Sequence, residues 1–189
     1  MELKKRVGEL EREVSQLRVE NRELKIENSN SRRLLGAPLS MDWNFLPVKV
    51  IGQTRYLIID KGREGQIQVD MVLIFEKVLV GRVVEVSERL AKVILPSDSE
   101  SQIKVKTKTA RGMVIGEGEG LFLDKVLQKE ELRVDDLVIT SGEDGIFPAN
   151  LLIGKIKEIE KEERQPFQKA QVEPLVDYDK LETVFLIIE

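Results

Sequence analysis

Residues 3–28 read LKKRVGELEREVSQLRVENRELKIEN, with leucines at Leu3, Leu10, Leu17 and Leu24, seven apart throughout. Four residues after each leucine come Val7, Val14, Asn21 and Asn28. This spacing predicts a left-handed coiled coil with leucine at d and the second series at a. Valine at a with leucine at d favours two parallel strands, and asparagine at a fixes register because each buried amide needs its partner across the seam. The flanking positions agree. Arg6, Glu13, Glu20 and Glu27 at g face Glu11, Arg18, Lys25 and Arg32 at the following e, opposite in sign at every step. A strict a/d stripe is also narrower than the apolar face of a helix lying on its own globular domain. The expectation is a homodimer held through Leu3, Val7, Leu10, Val14, Leu17, Asn21, Leu24 and Asn28.

The chain of 189 residues contains no cysteine and no histidine. Those absences remove disulfides, Ser-His-Asp and Cys-His catalysis, and metal sites built on either residue. No cofactor is expected. A net charge of −4 gives no electrostatic case for a nucleic-acid partner. No apolar run reaches the roughly 20 residues of a membrane span. The heptads start almost at Met1, and the expectation is that a membrane anchor precedes them, outside this chain.

Gly36 and Pro38 end the heptads by C-capping and by removing a donor. Residues 36–47 read as a linker with an apolar load in Trp43, Phe45 and Leu46. From Val48 the hydrophobic period changes to two. Strands are expected near 48–51, 55–60, 66–74, 78–86, 91–95, 101–109, 112–115, 121–127, 136–140, 151–160, 167–173 and 182–188, with one helical turn within 129–135. Many short strands without intervening helices indicate antiparallel barrels or a sandwich. A weak repeat supports two related barrels. Val69-Asp70-Met71-Val72 leads to Gly81-Arg82-Val83-Val84-Glu85-Val86, and Val134-Asp135-Asp136-Leu137-Val138 leads to Gly154-Lys155-Ile156-Lys157-Glu158-Ile159. In both, the glycine permits a bulge or a close strand approach.

Several motifs then stand in a specific order. They are Ile59-Asp60-Lys61-Gly62 with Glu64-Gly65, Val80-Gly81-Arg82-Val83 with Glu85-Val86, Ala91-Lys92-Val93-Ile94-Leu95 running to Asp98, and Arg111-Gly112-Met113-Val114 with Gly116. Last come Thr140-Ser141-Gly142-Glu143-Asp144-Gly145-Ile146-Phe147-Pro148 and Ile153-Gly154-Lys155-Ile156. In this the whole chain resembles the bacterial rod-shape-determining MreC family. It departs at Asp135, where the family has glycine, and at Asn150, where a small residue is usual. Asparagine tolerates the positive φ that this turn needs. The resemblance implies a protein anchored in the bacterial inner membrane, with this part in the periplasm. There it would scaffold peptidoglycan synthesis during cell elongation and bind a class B penicillin-binding transpeptidase, with MreD, RodA and MreB as further partners and possible higher-order self-assembly.

The fold expected is mainly β with an N-terminal α-helical coiled coil and two small antiparallel β-barrel subdomains. The divisions are 1–35 for the coil, 36–47 for the linker, 48–110 for the first barrel and 111–165 for the second, with 166–189 returning to the first. No catalytic or metal-ligating residues are expected. Ser141 has no base beyond a lysine such as Lys155, and Gly and Asp around it suit a hairpin turn. Ile146, Phe147 and Pro148 either plug the end of a barrel or form a partner surface. Lys104, Lys106, Lys108 and Arg111 read as the wet face of an edge strand or as a polyanion site. Glu158, Glu160, Glu162 and Glu163 read as a solvated strand end. A periplasmic adaptor of an efflux or secretion system is the competing reading, but adaptors carry an antiparallel helical hairpin between β-segments.

Overall fold

The computed structural model describes residues 43–118, 120–160 and 165–188, together with Arg6, Glu13, Val14, Gln16, Leu17 and Arg18. These six isolated positions are helical and exposed. The heptad residues Leu3, Val7, Leu10, Asn21, Leu24 and Asn28 lie outside the described residues, as do 29–42.

The remainder is mainly β. Its strands are β1 (Asn44–Gln53), β2 (Leu57–Ile59), β3 (Val72–Phe75), β4 (Val78–Val86), β5 (Ala91–Ile94), β6 (Gln102–Lys106), β7 (Arg111–Glu117), β8 (Gly120–Leu127), β9 (Leu137–Thr140), β10 (Leu152–Glu160), β11 (Phe167–Pro174) and β12 (Thr183–Ile188). Strands β4, β3, β12, β1, β2 and β5 follow one another in that order, and β5 pairs back onto β4 to close a six-stranded barrel. In β10, β9, β6, β7, β8 and β11 the neighbours run in the corresponding order, and β11 pairs with β10. The two sets meet at a single parallel pairing, Leu152 beside Val78.

The two sets follow one plan, with β6 holding in the second the place that β12 holds in the first. The sequence repeat marks the equivalence. Asp70 N donates to Val83 O at 2.9 Å and Asp135 N to Ile156 O at 2.8 Å. Asp70 and Asp135 both have positive φ, 73° and 70°. A Cβ on Gly81 would meet Ile94 O at 2.2 Å, and one on Gly154 would meet Glu173 O at 2.5 Å. Both glycines are therefore required by close strand approach.

Alternation along the strands serves two cores. Leu73, Val80, Val83, Val184 and Leu186 face the inside of the first barrel with Leu57, Ile59 and Val93. Their neighbours Val72, Ile74, Leu79, Phe185 and Ile187 join a second core with Val105, Val114, Leu123, Leu151, Ile153 and Ile156. Successive side chains on a strand point to opposite faces. Strands buried on both faces become continuous apolar runs, as in Val72-Leu73-Ile74-Phe75 and Val184-Phe185-Leu186-Ile187-Ile188.

Three local expectations are corrected. Asn44–Pro47 belongs to β1 and not to a linker, because it pairs with β12 from Asn44 opposite Ile188 onward and buries Phe45. The strand expected over 66–74 begins only at Val72, since Arg63–Gly65 forms a 3-10 turn and Gln66 and Asp70 have positive φ. Residues 129–135 form turns without a helix. Side chains hold that segment: Gln168 Nε2 donates to Leu127 O and Glu130 O, and Thr109 Oγ1 donates to Glu131 O.

The connector after β5 is tied down by an ion pair. Asp98 accepts from Arg55 Nε at 2.7 Å and from Arg55 Nη2 at 2.8 Å, and Glu100 N donates to it at 2.9 Å. The Arg55 guanidinium holds the Asp98 carboxyl below its ordinary value. Because the folded value lies below the unfolded one of about 3.9, this stabilisation is complete above that pH. It is lost as pH falls through the lower folded value. Arg55→Gln is thus expected to lower the urea midpoint at neutral pH, and the gap to the parent should close in acid. Urea melts followed by Trp43 fluorescence test this.

Candidate partner surface

The polar turn before Ile146 decides which way the apolar residues point. Asp144 Oδ1 accepts from Ile146 N and Phe147 N, both at 3.1 Å, and Asp144 Oδ2 accepts from Lys104 N at 3.4 Å. Thr140 Oγ1, fully buried, accepts from Leu151 N at 2.9 Å and donates to Pro148 O. Asn150 sits at φ 70° with its N–H on Thr140 O at 2.9 Å, so asparagine keeps this turn. Held at both ends, the segment turns Phe147 into the second core at 5% exposure and leaves Ile146 outside at 40%. Pro148 is half-buried. Phe147 is therefore a core residue and not an exposed contact.

Ile146 and Pro148 line a cavity of about 860 Å³. Lys61 and residues 64–72 also line it, with Leu46, Ile187 and Ile188. Val69, 52% exposed, and Ile146 are exposed apolar residues brought by different strand sets to one groove. Three charged residues also line it: Lys61, Glu64, which pairs with Arg89, and Asp70, which pairs with Arg82. Sequence reading missed Val69, Met71, Ile187 and Ile188 as site residues. The available signal was the repeat, which marked Val69 without showing what it faces.

The other candidates among the described residues lie on the second strand set. Strand β6 pairs with both β7 and β9, so Lys104 and Lys106 do not lie on an edge strand. Arg111 Nη1 pairs with Glu143 Oε1 at 3.0 Å. Ser141 Oγ accepts from Glu143 N at 3.2 Å within its turn. Glu158 and Glu160 are exposed at the end of β10, while Glu162 and Glu163 lie outside the described residues. Among the described residues, no group of three or more histidine, cysteine or acidic side chains is placed to hold a metal ion. Nor is any helix among them long and apolar enough to cross a membrane.

Comparison with known proteins gives a consistent result. A family profile described as "Rod shape-determining protein MreC, barrel core" matches residues 49–188. The chain is 26% identical over 165 residues to the cell shape-determining protein MreC of Escherichia coli, covering 82% of this chain and 45% of that protein. It thus spans about half the length of that relative. Among solved structures, MreC of Listeria monocytogenes is similar at a TM-score of 0.71 and 28% identity, over 99% of this chain and 94% of that one. A chain from a complex between Penicillin-Binding Protein (PBP2) and MreC of Helicobacter pylori shares the fold at a TM-score of 0.63 and 18% identity, over 78% of this chain and 99% of that one. With its barrel core matched almost from end to end, the chain belongs to the MreC family of rod shape-determining proteins.

Proposed function

We propose that the protein is a non-enzymatic scaffold of the bacterial cell-elongation machinery, anchored in the inner membrane with this part in the periplasm. The observation that carries this reading is the family match across residues 49–188. A class B penicillin-binding transpeptidase is the proposed partner, supported by the relative solved with Penicillin-Binding Protein (PBP2). MreD, RodA and MreB remain proposed partners through the membrane. The two strand sets support a division into two barrel subdomains, β1–β5 with β12 and β6–β11. The changeover then falls in the connector after Leu95 and not after residue 110.

The heptads make the scaffold a parallel homodimer in this reading. Helical Val14 supports it, 46% exposed at an a position, where a second helix would cover it. Light scattering on the intact chain should give a dimer mass, and Leu10→Glu with Leu17→Glu should give a monomer. A monomeric parent would overturn the coiled-coil reading. Titration against the periplasmic part of the transpeptidase from the same bacterium tests the scaffold reading, and no binding by the parent chain would overturn it.

A further inference from the structure

Strand β6 carries a row of cations on the outside of the second strand set. Ile103 and Val105 belong to the core, so Lys104 and Lys106, which alternate with them, point outward. Lys106 stands directly opposite Arg111 on β7. Like charges facing each other across an antiparallel pair destabilise it. Protection of an edge does not explain them, since β9 pairs on the other side of β6. Lys104 stands opposite Met113, and Lys108 is exposed in the turn that follows. The acids beside the row are already engaged. Glu143 pairs with Arg111, and Asp144 accepts from the amides of Lys104, Ile146 and Phe147. Among the described residues, Lys104, Lys106 and Lys108 make no ion pair.

An apolar strip runs beside this row. Val138 and Thr140 are fully buried, so Leu137 and Ile139 of β9 point outward on the same face as the lysines. Ile139 stands opposite Lys106 and is half-buried, and Leu137 is 49% exposed. On the far side of the strip Lys155 stands opposite Leu137, but Glu173 stands opposite Lys155 in turn. The unmatched charge therefore lies on the β6 side, one strand away from the apolar strip.

We propose that this face docks an acidic amphipathic helix of a partner protein, with its carboxylates on Lys104 and Lys106 and its apolar side chains on Leu137 and Ile139. The inference goes beyond the scaffold reading and does not depend on the transpeptidase. The spacings match. Residues two apart on a strand are about 7 Å apart, and residues four apart on a helix are about 6 Å apart. Glutamates at i and i+4 thus reach both lysines, and leucines at i+3 and i+7 fall on the neighbouring strip. A helix also suits a sheet face. The main-chain groups of β6 and β9 are spent on neighbouring strands, so an extended segment laid over them would leave its own amides and carbonyls unpaired. A helix satisfies its own backbone. A polyanion without apolar groups would use the lysines and leave the strip uncovered.

The test uses the full chain and, as probe, a synthetic peptide of Glu, Leu and Ala with glutamate and leucine stripes side by side. At about 20 residues it is long enough to hold a helix in water. Fluorescence anisotropy of the labelled peptide should show binding to the parent chain that weakens as salt is raised. Lys104→Glu with Lys106→Glu should weaken it by about tenfold or more, and Leu137→Ser several-fold. Lys49→Glu with Lys61→Glu, the same change of charge on the first barrel, should bind as the parent does. Thermal melts check that each variant folds, and Lys104→Gln with Lys106→Gln replaces the double reversal if that one does not. A peptide of the same composition with glutamates and leucines on opposite faces should bind about tenfold more weakly. No binding by the parent, equal binding by the lysine variants, or equal binding of the two peptides overturns the inference. If the peptide fails while inorganic polyphosphate or phosphatidylglycerol vesicles bind through Lys104 and Lys106, the row serves a polyanion or a membrane, and the helix inference is again overturned.

Discussion

Phe147→Ala is expected to cost about 3–5 kcal/mol, the usual range for deleting a buried aromatic side chain. For a chain of this size each kcal/mol lowers the melting temperature by about 2–4 °C. Phe147 shares its core with Phe45 and Phe185 of the first barrel and with Leu151 and Ile153 of the second strand set. Strands hydrogen-bonded on both edges cannot collapse easily into the space left behind, so the cavity persists. Ile146→Ala, one residue away and 40% exposed, should change stability by no more than about 0.5 kcal/mol. Thermal unfolding followed by circular dichroism compares the two. A melting temperature for Phe147→Ala within about 2 °C of the parent would show that the site repacks. Because Gly145, Ile146 and Pro148 form one wall of the groove, Phe147→Ala disturbs that wall too, and it cannot separate binding from folding.

The second large effect is expected at Gly116 in β7. A Cβ there would lie 1.9 Å from Ser97 O, 2.2 Å from Ser97 C and 2.7 Å from Asp98 C. All three are backbone atoms, so no side-chain rotation relieves the clash, and the connector after β5 must lift away from β7. Overpacking of this kind typically costs about 1–3 kcal/mol, and Gly116→Ala should reach the upper end. The displaced connector carries Asp98, so the variant should also lose the pH-dependent stabilisation from Arg55. Gly52→Ala is the control, because its nearest contacts would lie at 3.9 Å, ordinary van der Waals distance. Urea midpoints at neutral and acid pH measure both effects. Equal midpoints for Gly116→Ala and Gly52→Ala would contradict the packing described. The motif at Gly116 marks that glycine without giving the reason, which lies in a segment that contacts only one of the two.

The sequence by itself determined the local elements. Alternation and turn residues located twelve strands, all but β3 found within a few residues of their expected positions, because strand formation follows from local periodicity and backbone preference; β3 begins only at Val72, after a 3-10 turn and two residues of positive φ. It also determined the repeat, down to the glycines at Gly81 and Gly154 and the turn at Asn150. The elements that went differently were those where long-range partners outvote local pattern. Asn44–Pro47 reads as linker until β12 pairs with it, and residues 129–135 read as a helical turn until Gln168 and Thr109 take their carbonyls. The return of residues 166–189 to the first barrel is the expectation stated from sequence; the tertiary structure places β12 there, between β1 and β3, but pairs β11 with β8 and β10. Periodicity states that a strand has two faces but not which strand lies beside it. The groove is legible only at that level, since Val69, Ile146 and Ile188 are far apart in sequence and meet only where the two strand sets are joined.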